Sequence, residues 1–362
     1  MQTPTQPLRI LFLGGTGYIG PHCVRAALSR GHEVSVFNRG SNNEVLPEGI
    51  EILKGDRDGD LAAIRDRDWD VVVDLASFVP GRVRSLGEAL HGRVGVYVFI
   101  SSVIVYDDGQ VGVFTEESAV RSYAGSADPF ALSAPDGRSA SDYGVFKRLC
   151  EMEAERQFPG RALILRLGHI VGPGDWHSGF IYWLMRMEHG GQALVAGEPA
   201  SPVQFVDVRD LATWSLAAME RNLTGVFNVT GPGEPFSLFD LVDSVRRESG
   251  GATTLQWVNA DFVAANGGPT RWSPLLFWTG DLGANLMRMD SNRAISEGLD
   301  FRPLSETIAN TRAWHKSLPK ERQADLLAIL TLKPDGSGVE KHARDWPAFL
   351  EQESQLIQLW RG

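Results

Sequence analysis

The sequence predicts an α/β fold, a doubly wound parallel sheet followed by a smaller mixed α/β domain. Short β-branched runs alternate with segments of helical spacing in the first half, and strands that alternate with helices form parallel sheets. The runs VVVDLA and VYVFIS are almost continuously apolar, as expected for strands buried on both faces. The sheet domain is predicted to cover residues 1–170, with 203–230 rejoining it, and the second domain 171–202 and 231–362.

The order of elements follows from these patterns. The predicted strands are 8–13, 33–37, 50–54, 70–74, 96–101 and 162–167. The predicted helices between them are 17–30, 61–67, 79–90 and 141–157. Later, 203–219 and 226–230 are strand or helix segments that could rejoin the sheet, and the charged, Trp-containing C-terminal stretch is expected to form helices on the second domain.

Composition limits the class of function. The 362-residue chain is 43% hydrophobic, which allows a substantial core. Its net charge of −10 argues against a nucleic-acid partner, because phosphate binding needs a basic stripe. The N-terminal apolar run has no basic leader, and 94–106 is shorter than the roughly 20 residues that span a bilayer. We therefore expect a cytoplasmic protein that binds neither nucleic acid nor membrane.

Cysteine usage points away from disulfides and metals. Cys23 and Cys150 stand far apart in the chain, so they form neither a disulfide framework nor a metal-binding motif. Both are expected to be reduced and buried, and no metal site is predicted.

A glycine run near the N-terminus, in ILFLGGTGYIGPH, predicts a dinucleotide cradle. The run follows a predicted strand and opens a predicted helix, the context that such a cradle requires. Gly14 is expected to make the tight turn, Gly17 to let backbone N–H groups approach a pyrophosphate, and Gly20 to allow close helix packing. A structural turn without a ligand is the alternative. The cradle would make the sheet domain a Rossmann-type dinucleotide-binding domain.

The ends of the second and third predicted strands bear on the choice of cofactor. In VSVFNRG, Asn38 occupies the position where NAD-binding proteins typically offer a carboxylate to the ribose 2′-OH, and Arg39 follows. An arginine pairs with a 2′-phosphate that a carboxylate would repel, so NADP is favoured over NAD. The alternative is a solvated Arg39 that stacks on adenine. Asp56, in KGDRD, is placed to hydrogen-bond the adenine, although Asp is also common in turns without a ligand.

The segment YGVFK carries the predicted chemistry. Tyr143 and Lys147 are one helical turn apart and therefore share a face. A phenol with a pKa of about 10 needs a nearby cation to act as an acid or base at neutral pH. Lys147 is expected to lower the pKa of Tyr143 and to bind the nicotinamide ribose. Ser101 and Ser102 end a predicted strand, at the edge where open α/β sheets bind ligands, and could hold a substrate oxygen beside the tyrosine.

These segments together resemble the extended branch of the short-chain dehydrogenase/reductase superfamily, often described as NAD-dependent epimerase/dehydratase. The resemblance covers about 8–230 and rests on GGTGYIG, ISSxxVY, YxxxK and FVDVRDLA in that order. It implies that Ser102, Tyr143 and Lys147 are catalytic. The expected cofactor contacts are Gly14, Thr16, Gly17, Tyr18, Ile19, Gly20, Asn38, Arg39, Asp56, Arg57, Leu75, Ala76, Ser101, Tyr143, Lys147 and His169.

The chain departs from the nucleotide-sugar enzymes of this branch at two positions. In LRLGHIVGPGD, His169 stands where those enzymes usually have an asparagine. In SPVQFVDVRDLA, Val203 or Gln204 stands where they tend to have an arginine that clamps the substrate pyrophosphate. These departures disfavour a nucleotide-sugar substrate. His169 could instead contact the substrate or the nicotinamide amide, or be a structural residue.

Aromatic residues follow at the place where the substrate pocket of the resembled family forms. Trp176, His177, Tyr182 and Trp183 suggest a flat or apolar substrate, and an aromatic core of the second domain is an equal alternative. Arg209 is a possible anchor or a member of an ion-pair network at a strand end. The candidate substrate contacts are Ser102, His169, Trp176, His177 and Arg209.

Three functions fit these residues. The preferred one is an NAD(P)-dependent oxidoreductase that moves a hydride between nicotinamide and a carbonyl or secondary alcohol of a small molecule. The first alternative is an epimerase with transient oxidation; dehydration is disfavoured because Val103 and Ile104 stand where a carboxylate pair is expected. The second is a non-catalytic dinucleotide-binding or RNA-associated protein, against which the intact Ser, Tyr and Lys and the acidic charge weigh. Dimerisation is common in the superfamily, and the sequence leaves a homodimer open.

Overall fold

A computed structural model of the chain describes residues 6–107, 109–125, 128–131, 140–175, 179–266, 287–326, 329–332, 339–342 and 345–362. The chain divides into two compact units. The first consists of Met1–Gly168, Val208–Thr230 and Met289–Asp300, and the second of His169–Asp207, Gly231–Arg288 and Phe301–Gly362. The predicted boundaries differ from this division at 169–170 and 203–207, which belong to the second unit, and at 289–300, which belong to the first.

A parallel sheet is the centre of the first unit. Its strands are β1 Arg9–Leu13, β2 Glu33–Asn38, β3 Glu51–Lys54, β4 Trp69–Asp74, β5 Val94–Ser102, β6 Ala162–Leu167 and β10 Gly225–Val229. Within the described residues this is a 7-stranded sheet in the order β10-β6-β5-β4-β1-β2-β3. The strand order reverses at β1, which pairs with β2 on one side and β4 on the other. Ligands of such sheets bind at the carboxyl ends of the strands beside this reversal.

Helices cover both faces of this sheet. They are α1 Gly20–Ser29, α2 Ala62–Arg65, α3 Pro80–Ala89, α4 Ala140–Gln157, α6 Val208–Glu220 and α9 Asn292–Ser296. Helix α3 packs against α4, and α1 packs against α6. The core beneath α3 and α4 includes Val72, Phe99, Leu86 and Cys150. Cys23 and Cys150 are buried and free, as predicted.

The second unit is a mixed α/β structure, as predicted. Its helices are α5 Gly179–His189, α7 Leu238–Glu248, α8 Ala260–Ala265, α10 Leu304–Ser317, α11 Lys320–Leu326 and α12 Trp346–Arg361. Its strands are β7 His169–Val171, β8 Gly191–Ala196, β9 Phe205–Asp207, β11 Thr253–Val258, β12 Ile329–Leu332 and β13 Val339–His342. They pair as β7 with β9, β8 with β11, and β12 with β13. Tyr182 and Trp183 are each 2% exposed in its core, which supports the alternative that these aromatics are core residues.

The predicted strands and helices of the first half are present, with shifts at their ends. Helix α1 begins at Gly20 rather than at residue 17, because Pro21 occupies its first turn, where proline starts helices. The predicted helix 61–67 is a single turn. The predicted segment 203–219 divides into β9, which pairs with β7, and α6, whereas 226–230 rejoins the sheet as β10 beside β6. The C-terminal stretch contains the β12–β13 hairpin in addition to the predicted helices.

Among the helices that the structure describes, none has the length and apolar character needed to cross a membrane.

The start of α1 provides a test of the packing at the glycine loop. A Cβ added to Gly20 would overlap the backbone of Gly15, so Gly20→Ala should lower the free energy of unfolding by about 1–3 kcal/mol. Gly17→Ala is the matched control, because a Cβ there would meet no protein atom within 4 Å. Urea unfolding measures both variants. Equal free energies of unfolding for the two would contradict the assignment of Gly20 to helix packing.

Candidate active site

The loop between β1 and α1 forms one side of a pocket at the carboxyl edge of the sheet. Gly14 has φ of 97°, a backbone conformation that favours glycine, and a Cβ there would lie 3.2 Å from the Cβ of Ala76. Gly15, which the sequence analysis did not single out, has φ of 78°. Ile19 is the N-cap residue of α1, and no side chain caps that helix. Uncapped backbone N–H groups at a helix N-terminus suit a phosphate.

Residues from the ends of four neighbouring strands line this pocket, which has a volume of about 290 Å³. The lining residues that the sequence analysis missed are Phe37, Gly40, Ser41, Asn42, Gly55, Asp58, Phe78 and Arg82. The predicted cofactor contacts that line it are Gly14, Thr16, Asn38, Arg39, Asp56, Arg57 and Ala76. The structure therefore brings the predicted residues of the glycine loop together with those that follow β2, β3 and β4.

Two of these side chains shape the turns around the pocket. The side-chain oxygen of Asn38 accepts from the Gly40 N–H at 2.7 Å, and its amide nitrogen donates to Asn43 Oδ1 at 2.8 Å. Asp56 Oδ1 accepts from the Asp58 N–H at 3.0 Å. Such local hydrogen bonds are typical of Asn and Asp in turns. Asn38 and Asp56 thus hold the backbone that carries Arg39 and Arg57.

A buried ion pair joins the pocket to the end of β4. Arg57 Nη2 donates to Asp74 Oδ2 at 2.7 Å and also to the Ser77 hydroxyl. Asp74 further accepts from the Tyr97 hydroxyl at 2.6 Å and from the N–H groups of Ala76 and Ser77. Burial acts to raise the pKa of Asp74, but the charge of Arg57 and the hydrogen bonds from Arg57, Ser77 and Tyr97 lower it to about 2. A charged residue at the end of the apolar run VVVD was the signal that could have identified Asp74.

The second terminal nitrogen of Arg57 indicates what the pocket can hold. Nη1 of Arg57 is buried and has no hydrogen-bond partner within the described residues. Arg82, on the same pocket, is paired with Asp58 at 2.6 and 2.7 Å. A buried N–H without an acceptor is costly, so a ligand rich in acceptors would stabilise Arg57. The lining residues therefore fit a nucleotide.

Tyr143 and Lys147 lie one turn apart in α4, as predicted. Lys147 is 3% exposed, and its Nζ donates to the carbonyl oxygens of Ile100 at 2.8 Å and Ser77 at 2.9 Å. Nζ also lies 4.7 Å from the centre of the Phe78 ring and 5.8 Å from that of Tyr143. One ammonium group thus connects α4 to the end of β5 and to the segment after β4.

The pKa of Tyr143 moves in the direction opposite to the prediction. Burial raises it to about 12, and burial lowers the pKa of Lys147. The expectation that Lys147 depresses the pKa of Tyr143 is wrong here, because the ammonium group is directed at backbone carbonyls and burial dominates at the phenol. At neutral pH Tyr143 is therefore protonated and can donate a proton.

Ser102 ends β5 and begins the 3₁₀ turn Val103–Val105. Its Oγ accepts from the Ile104 N–H at 3.3 Å. Gly144, next to Tyr143, packs so closely on the Ile104 carbonyl that a Cβ would overlap it. Because of this close approach, the helix turn that carries Tyr143 is held against the turn that Ser102 begins. The sequence analysis missed Gly144, whose signal is a glycine inside the helical segment YGVFK.

The remaining predicted residues lie in other places. The prediction that Ser101 contacts the cofactor is corrected. Its hydroxyl is buried inside the first unit, where it donates to Glu151 Oε1 at 2.6 Å. Arg209 is half-buried in the first turn of α6, and His169 begins β7 in the second unit. Trp176 and His177 lie outside the described residues. A Cβ on Gly14 would lie 3.9 Å from the Cβ of Leu75, and the Tyr18 ring lies edge-on to His22. Thr16, Gly17 and Ile19 belong to the loop before α1.

The fold and this geometry define a class of protein. A Rossmann-type sheet with a glycine loop at β1, and with serine, tyrosine and lysine side chains at its carboxyl edge, is the arrangement of the short-chain dehydrogenase/reductase superfamily. The chain belongs to the NAD dependent epimerase/dehydratase family, whose model matches residues 10–230. The family is described as NAD-dependent epimerase/dehydratase, and the similar proteins include a dehydrogenase and an epimerase, so the prediction of an NAD(P)-dependent enzyme is confirmed at the level of the family.

Individual relatives show how varied this family is. The chain is 28% identical to dTDP-6-deoxy-L-talose 4-dehydrogenase (NAD(P)(+)) of Kitasatospora kifunensis, over 75% of this chain and 88% of that protein. It is 27% identical to the chloroplast stem-loop binding protein of 41 kDa b of Arabidopsis thaliana, over 67% of this chain, and spans 63% of that protein's length. The solved structure of UDP-glucuronic acid 4-epimerase from Bacillus cereus with NAD matches with a TM-score of 0.61 at 20% identity, over 86% of this chain and 98% of that one. At 20% identity, this structural similarity shows only that the two proteins share a fold.

The comparisons do not support one expectation. His169 and Val203 or Gln204 predict that nucleotide-sugar substrates are disfavoured, yet the names of two of these relatives are those of nucleotide-sugar enzymes. NAD is the cofactor in the family description and in the solved relative, and no comparison shows a preference for NADP.

The raised pKa of Tyr143 can be measured in the free protein. The difference in tyrosinate absorbance between the wild type and Tyr143→Phe should show no ionisation of residue 143 below about pH 10.5, because its pKa is about 12. A Tyr143 signal that appears between about pH 6 and 8 would instead mean that Lys147 depresses the phenol pKa.

Proposed function

We propose that the chain catalyses NAD(P)-dependent hydride transfer between nicotinamide and a carbonyl or secondary alcohol of a small molecule. One observation carries this proposal: α4 is attached to the end of β5 at two points. Lys147 Nζ donates to the Ile100 carbonyl at 2.8 Å, and Gly144 packs directly on the Ile104 carbonyl. These attachments hold the helix turn that carries Tyr143 against the end of the strand that carries Ser102, which supports a shared role of the two hydroxyls on one substrate oxygen.

Each of these residues has a distinct role in the proposed reaction. The bound cofactor supplies or accepts the hydride. Tyr143 donates its phenolic proton to the oxygen that becomes negative as a carbonyl is reduced, and Ser102 orients that oxygen. Lys147 holds Tyr143 in place through its bonds to the Ser77 and Ile100 carbonyls. Because the pKa of Tyr143 is about 12, the phenol is protonated at neutral pH and can act as the acid when a carbonyl is reduced.

The pocket residues support NADP as the preferred cofactor. Gly14, Gly17 and the N-terminus of α1 would hold the diphosphate, and Asp56 would hold the adenine. Arg39 is exposed on the pocket rim at the end of β2, where Asn38 replaces the carboxylate that would repel a 2′-phosphate.

A second candidate within the family is an epimerase in which oxidation is transient. The description of the family supports it, and it would use the same Tyr143 and Ser102. The two candidates differ in net redox change. An oxidoreductase converts one equivalent of cofactor for each substrate molecule, whereas an epimerase converts substrate with no lasting change in nicotinamide absorbance.

An RNA-associated function is a third candidate. The 27% identity to a stem-loop binding protein favours it, and the net charge of −10 opposes it because RNA phosphates require basic surface. A gel-shift titration with a stem-loop RNA at physiological salt separates this candidate from the enzyme. Tight binding would favour the RNA-associated function, and we expect none.

Replacing the proposed acid tests the reaction. Tyr143→Phe should lower kcat by roughly 10²-fold or more in either direction, because it removes the hydroxyl that exchanges a proton with the substrate oxygen while keeping the ring. The measurements are NADP⁺-dependent oxidation of dTDP-6-deoxy-L-talose and NAD⁺-dependent conversion of UDP-glucuronic acid, with cofactor affinity followed by fluorescence. Cofactor affinity should stay unchanged. If the variant converts a substrate at the same rate as the wild type, the proposed role of Tyr143 in proton transfer is wrong.

Replacing Arg39 tests the cofactor preference. Arg39→Ala should raise the Kd of NADPH by about tenfold or more, the equivalent of one charge-assisted hydrogen bond, and leave the Kd of NADH unchanged. Arg67→Ala is the matched control, since Arg67 pairs with Glu51 at the protein surface. If Arg39→Ala raises the Kd of NADPH and of NADH equally, Arg39 does not recognise the 2′-phosphate.

A further inference from the structure

The face of α4 that carries Tyr143 and Lys147 continues to a third polar residue. Glu151 follows Lys147 by four positions and Tyr143 by eight, so the three side chains share one side of the helix. Glu151 is 0% exposed and is not among the residues that line the pocket. Its carboxylate accepts from Arg166 in β6, from Nε at 3.0 Å and from Nη2 at 2.8 Å. A buried ion pair therefore lies on the same helix face as the proposed catalytic residues, one turn beyond Lys147.

This pair is tied to the end of β5 through Ser101. The Ser101 hydroxyl donates to Glu151 Oε1 at 2.6 Å, and Ser101 immediately precedes Ser102. The preceding residue, Ile100, accepts from Lys147 Nζ at 2.8 Å. Consecutive residues of the strand are thus bonded to consecutive turns of one helix face. A rotation of α4 about its axis, or a slide along it, would break both bonds.

The other side of Arg166 reaches the turn after Ser102 and the edge of the sheet. Arg166 Nη1 donates to the Tyr106 hydroxyl and to the Glu116 carbonyl oxygen, each at 3.1 Å. The Tyr106 hydroxyl donates to Asn228 Oδ1 in β10 at 2.6 Å. The Asn228 N–H donates to the Glu116 carboxylate at 2.8 Å. Arg166 therefore links α4, the 3₁₀ turn that follows Ser102, and the last strand of the sheet.

Stability alone is a poor explanation for such a network. The cost of removing two charges from water is comparable to the gain from pairing them, and apolar replacements of buried pairs are often as stable. Hydrogen bonds between buried groups do fix distances and angles, which apolar contacts leave looser.

We propose that Glu151 and Arg166 are positioning residues that set the rotation and height of α4, so that Tyr143 is held in register with Ser102. The proposal rests on the proposed function, because it assigns the network to the placement of that function's acid. It also accounts for the burial of the Ser101 hydroxyl beside a serine proposed to bind substrate.

The second unit offers a matched control. Arg186 in α5 pairs with Glu353 in α12, with Nε at 3.2 and 2.9 Å from the two carboxylate oxygens. The side chains are 2% and 1% exposed, against 3% and 0% for Arg166 and Glu151. Each pair joins one Arg to one Glu at the same burial, although Glu151 also accepts from Arg148 Nη1 at 3.0 Å. Only the Glu151–Arg166 pair is attached to α4.

The test places 3-fluorotyrosine at position 143 and records its ¹⁹F resonance, which needs neither substrate nor turnover. The test variants are Ser101→Ala, Glu151→Gln and Arg166→Lys, and the controls are Arg186→Lys and Glu353→Gln. We expect the test variants to shift or split the resonance and the controls to leave it unchanged at a comparable loss of Tm. With NADP⁺ and dTDP-6-deoxy-L-talose, unlabelled test variants should lose about tenfold or more in kcat with KM for NADP⁺ nearly unchanged.

Several outcomes are separable. If both sets of variants lose Tm alike and neither moves the resonance, the pair is structural and the positioning role is wrong. Should Arg166→Lys fail to fold, Ser101→Ala carries the same test, because it removes one hydroxyl and leaves both charges paired. Full turnover by Tyr143→Phe would overturn the proposed function, while the ¹⁹F comparison would still decide whether the network positions residue 143.

Discussion

The ammonium group of Lys147 is the contact on which the rest of the site depends. It is buried and donates to two backbone carbonyls, one at the end of β5 and one after β4, and it lies against the faces of Phe78 and Phe99. A buried cation is tolerable only where dipoles and aromatic faces replace water, so these segments must stay in place around it. The helix that carries Tyr143 is fixed to the sheet by this requirement. Close packing of Gly144 on the Ile104 carbonyl then leaves little freedom at the first turn of that helix.

Asp74 extends the same constraint to the nucleotide pocket. It orders the segment after β4 by accepting from the Ala76 and Ser77 N–H groups, and that segment supplies both a wall of the pocket and the carbonyl that Lys147 binds. Arg57 completes the connection, with one nitrogen on Asp74 and another buried nitrogen free for a ligand among the described groups. The pocket at the carboxyl edge and helix α4 therefore share one buried, hydrogen-bonded framework.

Relatives of this chain that share its fold include enzymes of nucleotide sugars and a stem-loop binding protein. One sheet supports such variety because function depends on side chains added at its carboxyl edge and on the second unit. At this edge of the sheet, burial raises the pKa of Tyr143 to about 12, so its phenol carries a proton at neutral pH. The departures at His169 and at Val203 or Gln204 do not define the substrate class by themselves.

The sequence by itself determined the parallel sheet, the glycine loop, about half of the residues that line the pocket, and the placement of Tyr143 one helical turn before Lys147. These features are local: apolar runs, glycine spacing and a four-residue separation on a helix express their structure within a few residues. Only the tertiary structure decided the pKa of Tyr143, the burial of the Ser101 hydroxyl, and the pairs of Arg57 with Asp74 and of Glu151 with Arg166. Those properties depend on which groups meet after distant segments pack and exclude water, and no spacing along the chain encodes a partner on another strand.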